Sequence, residues 1–155
     1  MGRAEIDETD LRILAELLKD GRASYRKIAE RIGVSVATVA SRVEALEKKG
    51  VIKGYSALVD PLKLGYQITA VIQLRISGNL LEVQKKIAEN PHVFGVYDVT
   101  GEPDSIILVR FKGREELSRF IKGLLNMEEV ERTITHVVLE VVKEDPRPPV
   151  TEEIK

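Results

Sequence analysis

Residues 24–55 read SYRKIAERIGVSVATVASRVEALEKKGVIKGY, and this stretch predicts two short helices joined by a tight turn. The apolar positions of the second helix recur at helical spacing at Val39, Val43 and Leu46. Such a stripe seats one face of a helix on a core and leaves the opposite face in solvent. The stretch therefore predicts a helix–turn–helix.

The residues at the helix ends agree with this interpretation. Ser35 suits an N-cap, because its hydroxyl can accept an unpaired N–H of the first turn. Gly33 fits the turn between the helices, and Gly50 fits a C-terminal stop in the left-handed conformation. The apolar residues 51–59 that follow predict a strand or a small wing.

The exposed start of the second helix carries small side chains that can enter a major groove. Arg42 is the strongest candidate for a base contact, since a guanidinium can bridge O6 and N7 of guanine; the alternatives are a phosphate contact or a pair with Glu44 or Glu47. Cations near the preceding helix suit phosphate. The candidate DNA-binding residues are Arg22, Arg26, Lys27, Ser35, Val36, Ala37, Thr38, Ser41, Arg42 and Lys53. A module that contacts protein instead is the other possibility.

The charge distribution favours the DNA interpretation. The whole chain has a net charge of −1, which by itself argues against a DNA-binding protein. Between Arg22 and Lys53, however, eight cations face three anions, so this segment carries +5 and the rest of the chain is acidic. The attraction for phosphate is thus concentrated on one module.

Composition limits the remaining classes. The chain has 155 residues, 43% hydrophobic and 32% charged, as in a soluble globular protein. With no cysteine it has neither disulfides nor thiolate metal sites. No apolar run approaches the roughly 20 residues of a membrane span, and the N-terminus lacks a signal-peptide core, so a cytoplasmic protein without a membrane partner is expected. Abundant charge without cysteine suits a thermophile.

The pattern predicts two domains and an α+β fold. The N-terminal winged helix–turn–helix, with helices near 7–20, 24–31 and 36–49, occupies residues 1–60. A linker over 61–66 contains the break after Asp60-Pro61, since proline keeps its predecessor out of helical space. The second domain covers 67–143, and the proline-rich residues 144–155 predict an extended tail.

The second domain has the order β-α-β-β-α-β of a ferredoxin-like sandwich. Alternating residues predict strands over 68–76, 93–100, 105–111 and 133–142, with helices around Leu80–Ile87 and Leu117–Leu124. Helices cover only one face of such a sheet. The other face carries apolar side chains and needs a cover, for which a second copy of the chain is the simplest candidate. A homodimer is therefore expected.

Three motifs, IDETDLRIL (6–14), IGVSVATVASRVEALEKKGVIKGY (32–55) and TGEPD (100–104), resemble the Lrp/AsnC, or feast/famine, transcriptional regulators. The resemblance covers the chain from about Ile6 to Val142 and implies an archaeal or thermophilic source, dimers that assemble into octamers, and an amino-acid effector. By that resemblance the effector-binding residues are Gly101, Glu102, Asp104, Thr133 and Thr135. Asp104 is the candidate for the α-ammonium group. Pro103 departs from the family pattern, which more often has an aromatic residue there.

Nothing in the sequence indicates catalysis or a cofactor. His92 and His136 lack a third ligand at metal-like spacing, and no phosphate loop, nucleophile elbow or catalytic carboxylate pair is present. Two alternatives to an effector-controlled regulator remain. One is an architectural DNA-binding protein that needs no effector, and the other is an enzyme like the sirohaem decarboxylases that share this layout.

Overall fold

The computed structural model describes residues 5–154, which divide into two compact units. Within the described residues, one unit consists of residues 5–58 together with residues 144–154. The other unit is Val59–Lys143. The first boundary thus falls two residues before the predicted break at Asp60-Pro61.

Three helices build the first unit, each started by a side-chain cap. They are α1 (Glu8–Lys19), α2 (Tyr25–Ile32) and α3 (Val36–Lys48). Each helix has an N-cap side chain that accepts a backbone N–H of the first turn, and the three caps are Asp7, Ser24 and Ser35. These N–H groups have no partner inside the helix, so the caps supply the missing hydrogen bonds. These helices begin and end within two residues of the predicted positions.

The core of the first unit lies where the three helices meet. Ile13 of α1, Ile28 of α2 and Val39 and Val43 of α3 have no exposed surface. Ile52, which follows α3, packs against this cluster and is partly buried. The apolar stripe predicted for α3 therefore does face inward, and its opposite face is left outside.

Residues 51–59 form no strand, so the strand interpretation of this segment is wrong. Val51 and Ile52 donate their N–H groups to the Leu46 carbonyl at the end of α3. A strand needs a neighbour that exchanges backbone hydrogen bonds with it, and within residues 5–154 no other strand pairs with this segment. Apolar and β-branched residues alone do not supply that neighbour.

The second unit is a four-stranded antiparallel sheet with two helices, as predicted. Its elements are β1 (Ile68–Ile76), α4 (Leu80–Ala88), β2 (Val93–Asp98), β3 (Ser105–Phe111), α5 (Arg114–Leu125) and β4 (Val130–Val137). The strand order is β2-β3-β1-β4, with every neighbouring pair antiparallel. This order is that of the ferredoxin-like βαββαβ arrangement, and the predicted α+β fold is confirmed.

One face of this sheet is buried under the helices and the other is only partly covered. Ile72 and Ile107 are opposite each other in the register of β1 and β3 and have no exposed surface. They pack with Val83 of α4 and Leu117 of α5. On the other face Val71 is opposite Leu108. That open face also holds polar neighbours, which are Thr69, Gln73, Arg75, Arg110 and His136.

Two strands have different limits from those predicted. β2 ends at Asp98 instead of residue 100, and β4 begins at Val130 and ends at Val137 instead of covering 133–142. β4 ends at Val137 because β1, the strand it pairs with, begins nearby: Val137 is opposite Ala70, only two residues from the start of β1. Alternating apolar residues continue beyond that point without a strand to pair with.

The tail after Glu144 is not extended throughout. Val150–Glu153 form a single 3-10 turn, and this turn packs on α1 in the first unit. Val150 is 9% exposed, whereas Leu139 and Val142 earlier in the same C-terminal stretch are 100% and 90% exposed. The proline-rich sequence of the tail predicted neither the 3-10 turn at Val150–Glu153 nor its packing on α1.

The turn between α2 and α3 provides a test of this fold. Gly33 has φ of +74°, a left-handed conformation, and a Cβ built there meets no atom within 4 Å. Gly33→Ala is expected to lower the free energy of unfolding of the first unit by about 1–2 kcal/mol through backbone strain alone. Denaturant titration with a helical signal measures it.

Gly21→Ala is the matched control in the same unit. Its Cβ meets the Leu17 carbonyl at an ordinary 3.8 Å, and its φ is not in the left-handed region. Equal losses in the two variants would contradict the conformational account of the turn.

Candidate DNA-binding surface and ligand cavity

The outer surface of α3 is built from its capped first turn. The Ser35 Oγ accepts the Thr38 N–H at 3.0 Å and lies 2.8 Å from the Thr38 Oγ1. Both hydroxyls are therefore engaged in starting the helix, and Thr38 is half-buried. Val36, Ala37 and Ser41 are exposed and lie on the side away from the core. The outer side of the first two turns of α3 is therefore a surface of small, uncharged side chains.

Exposed cations stand around α2. Arg26 pairs with Glu30 of the same helix at 3.2 Å, with both side chains more than half exposed. Lys27 lies 3.8 Å from Asp20, also in solvent. Such surface pairs contribute little to stability. Arg22 and Lys53 are exposed as well, so four of the predicted phosphate-binding cations are accessible.

Arg42, the predicted base-contacting residue, is held by carboxylates of α1. Its Nη1 donates to the Asp7 carboxylate and lies 3.4 Å from the Asp10 Oδ1. Asp10 is 7% exposed and Arg42 is 40% exposed on their side chains. The guanidinium therefore joins α3 to the first turn of α1, and neither of the helix-surface alternatives, Glu44 or Glu47, is its partner here.

Asp7 and Asp10 also cap α1 through a reciprocal pair of hydrogen bonds. The Asp10 N–H donates to the Asp7 Oδ1 at 2.9 Å, and the Asp7 N–H donates to the Asp10 Oδ2 at 3.1 Å. The pKa of the Asp7 carboxyl is held below its usual value because the Asp10 N–H and then Arg42 stabilise the carboxylate. Sequence reasoning missed this pair; the D-x-x-D spacing in IDETD is the signal that could have found it.

The predicted effector turn is organised by Asp104. Its Oδ2 accepts the Ile76 N–H at 2.8 Å, and its own N–H donates to the Leu74 carbonyl at 2.9 Å. Arg75 lies 3.8 Å from the same carboxylate oxygen. Gly101 in this turn has φ of +109°, which favours glycine there. Asp104 thus fixes the end of β1 to the turn through one of its two carboxylate oxygens.

A cavity of about 560 Å³ lies beside this turn on the sheet. Arg75 and Arg132 are opposite each other in the β1–β4 register, and Arg132 lies 4.0 Å from the Glu102 carboxylate. The lining includes Gln73, Leu74, Arg75, Glu102, Pro103, Arg132 and Ile134. Thr133 and Thr135 are opposite Leu74 and Ile72, on the helix-covered face, so the structure does not bring them together with Glu102.

Two other kinds of site, a metal centre and a membrane span, are not found among the residues that the structure describes. Among residues 5–154 no three His, Asp or Glu side chains are grouped to hold a metal ion. Within the same limits no helix is long and apolar enough to cross a membrane. The His92 Nδ1 lies 2.8 Å from the Arg110 carbonyl oxygen and its ring stacks on Phe111 at 4.7 Å, which gives this histidine a structural role.

The capped helix–turn–helix with exposed cations, together with a ferredoxin-like unit bearing a cavity, defines a two-domain DNA-binding regulator. Residues 6–53 match the winged helix–turn–helix DNA-binding family, and residues 69–148 match the Lrp/AsnC ligand binding domain. The chain belongs to the Lrp/AsnC family of transcriptional regulators.

Its relatives agree over nearly their whole length. An uncharacterized HTH-type transcriptional regulator of Pyrococcus furiosus is 46% identical over 91% of this chain and 96% of that protein. The HTH-type transcriptional regulator FL11 of the same organism is 37% identical over 96% and 99%. The structure of Escherichia coli AsnC superposes with a TM-score of 0.83 at 27% identity, covering 91% of this chain and 97% of its own.

A solved relative carries an amino acid. The crystal structure of a Neisseria meningitidis transcriptional regulator in complex with L-Met has a TM-score of 0.87 to this chain at 25% identity. The match covers 96% of this chain and 99% of that one. The shared fold therefore includes both units.

The contact between Arg42 and Asp7 gives a prediction on pH. A depressed carboxyl pKa in the folded state stabilises the protein above the unfolded value, and the effect is lost as pH falls through the lower, folded value. Arg42→Gln is expected to raise the Asp7 pKa toward its usual 3.8 and to flatten the loss of stability on acidification. Carboxyl NMR titration and unfolding at several pH values measure both.

Arg26→Gln is the control, because it removes the same charge from an exposed pair on α2 that does not include Asp7. An Asp7 pKa as low in Arg42→Gln as in the unmodified chain would refute the ion-pair account, since the Asp10 N–H remains in place in both.

Proposed function

We propose that this chain is a sequence-specific transcriptional regulator that reads double-stranded DNA with the outer face of α3. The observation that carries this proposal is the exposure of Val36, Ala37 and Ser41 on the side of α3 opposite its buried stripe. Small side chains let a helix approach base edges, and apolar ones can contact a thymine methyl. Thr38 and Ser35 stand at the start of the helix, where a docked recognition helix points its first turn at the bases.

Phosphate contacts then supply affinity. Arg22, Arg26, Lys27 and Lys53 are exposed around the helix–turn–helix, and positively charged side chains are the main phosphate ligands. Arg42 takes another part in this proposal. Because Asp7 and Asp10 neutralise it, Arg42 orients α3 on α1 and the small residues carry the base contacts.

The regulator is proposed to act as a homodimer that assembles further into octamers. The open face of the sheet supports this, since Val71, Leu108 and Ile134 lie on it without a covering layer of the same unit. Burying such a face against a second copy removes apolar surface from water. A two-fold dimer favours palindromic sites with half-sites separated by turns of the DNA helix.

An amino acid is the proposed effector, bound in the cavity beside the 101–104 turn. The family match of this unit to a ligand binding domain and the L-Met complex of the Neisseria relative support this. Glu102, which is 84% exposed, and Arg132 offer opposite charges for an ammonium and a carboxylate. Ile134 and Pro103 supply apolar surface for a side chain. The ligand then acts by binding one assembly state more tightly than the other, which shifts the equilibrium toward that state. The regulator is proposed to work in the cytoplasm and to catalyse no reaction.

Ala37→Glu tests the DNA proposal. A carboxylate on the outer face of α3 meets the phosphates and the groove floor, so affinity for a fragment selected from random DNA by the unmodified chain is expected to fall at least about tenfold. Fluorescence anisotropy at fixed salt measures it. Ala88→Glu places the same change on an exposed alanine of α4.

The control is expected to bind that fragment as the unmodified chain does. If Ala37→Glu also retained full affinity, or if selection produced no motif at all, α3 would not be the reading element.

Arg132→Gln tests the effector proposal. Losing the guanidinium removes the partner of the ligand carboxylate, so amino-acid-induced changes in assembly, followed by analytical ultracentrifugation with each of the amino acids in turn, are expected to disappear. Arg119→Gln removes an exposed arginine from α5, on the helical side of the unit, and is expected to preserve them. A response that survives in Arg132→Gln would place the ligand elsewhere.

A further inference from the structure

We propose that the C-terminal tail is a positioning element of the DNA-binding unit, with Val150 and Arg147 bracing α1 on a face next to the one that packs on the helix–turn–helix core. The tail leaves the second unit at Lys143, yet residues from Glu144 onward belong to the compact unit of α1, α2 and α3. The first unit is thus built from two segments that lie far apart in the sequence. This inference rests on the proposed DNA binding for its functional consequence, but not for the docking itself.

Arg147 makes the polar part of the contact. Its Nη1 donates to the Leu18 carbonyl at 3.2 Å, and Leu18 is in the last turn of α1, where carbonyls lack helical partners. A cation at that end is also favoured by the helix dipole. Asp145 holds the guanidinium in place through hydrogen bonds of 2.8 and 2.9 Å, which fixes its direction.

Val150 makes the apolar part. α1 has a second apolar face, formed by Leu11, Leu14 and Leu18, in addition to the face that Ile13 turns into the core. That second face borders a groove of about 710 Å³, and Pro148 and Val150 of the tail form another wall of it. Val150 is 9% exposed in the 3-10 turn, so the tail covers part of a surface that would otherwise meet water.

The apolar part of the contact lies outside both family matches, although Arg147 falls within the second of them. The helix–turn–helix match ends at residue 53 and the ligand-binding match at residue 148, so Val150 lies outside both. The tail around it is acidic, with exposed Glu152 and Glu153, and is unsuited to touch phosphate itself. An effect of Val150 on DNA binding therefore has to pass through the position of α1.

The path from α1 to the DNA surface is short. α1 packs on α3 through Ile13 and Val43, and Asp7 and Asp10 hold Arg42 of α3. A brace on the last turns of α1 restricts how α1 tilts under α3. The tail therefore favours the one α3 orientation that matches a specific site, while phosphate contacts tolerate several orientations.

Val150→Asp in the full chain tests this, because a buried carboxylate undocks the tail. Affinity is measured for the fragment selected by the unmodified chain and for random-sequence DNA of equal length. We expect about fivefold weaker binding to the selected fragment and less than about twofold change on random DNA. Amide hydrogen exchange across residues 14–19 of α1 is expected to speed up.

Thr151→Asp is the matched control, since it adds the same charge one residue away at an exposed position. It is expected to leave both affinities and the α1 exchange unchanged.

Two outcomes would overturn the proposal. Unchanged α1 exchange in Val150→Asp would show that the tail does not brace the helix. Faster α1 exchange in Val150→Asp, with affinity for the selected fragment and for random DNA either reduced equally or not reduced at all, would show that the tail stabilises α1 without positioning α3. Failure of the unmodified chain to select any motif would instead remove the proposed function and leave the exchange result standing.

Discussion

The packing of Val39 and Val43 of α3 against Ile13 of α1 and Ile28 of α2 is the constraint on which the DNA-binding unit depends. These four side chains have no exposed surface, so rotation of α3 about its axis would expose apolar area and open a cavity. The buried stripe therefore also decides which side chains point outward. In this sense the core of the unit determines which surface of α3 is presented to solvent.

Charged side chains add to the packing by joining neighbouring elements in both units. The carboxylates of Asp7 and Asp10 join the N-terminus of α1 to Arg42 of α3. In the second unit Asp104 has a comparable structural task at the end of β1. Arg42 and Asp104 were both predicted to contact a ligand, and in the structure each also makes a structural contact, Arg42 with α1 and Asp104 with the backbone of β1.

Most of the fold could be predicted because it depends on local patterns. Helical spacing, capping residues and strand alternation are properties of neighbouring residues, and they located all three helices of the first unit and the β-α-β-β-α-β order. The partner of Arg42 lies more than thirty residues away, and the end of β4 is determined by the length of β1. The seat of Val150 on α1 is equally non-local, so no window of sequence contains it. The exposed residues of α3 could be predicted from helical spacing within one segment. Alternation in β4 does not say which face of the sheet Thr133 and Thr135 occupy, because that depends on the pairing with β1.

The most direct test of the central claim is amide hydrogen exchange of the full chain with and without a DNA fragment that it has selected. The account predicts slower exchange at the start of α3, in the turn around Gly33 and at the start of α2, with the helix-covered face of the sheet unchanged. Protection confined to the sheet or to α4 and α5, with α3 unaffected, would contradict it.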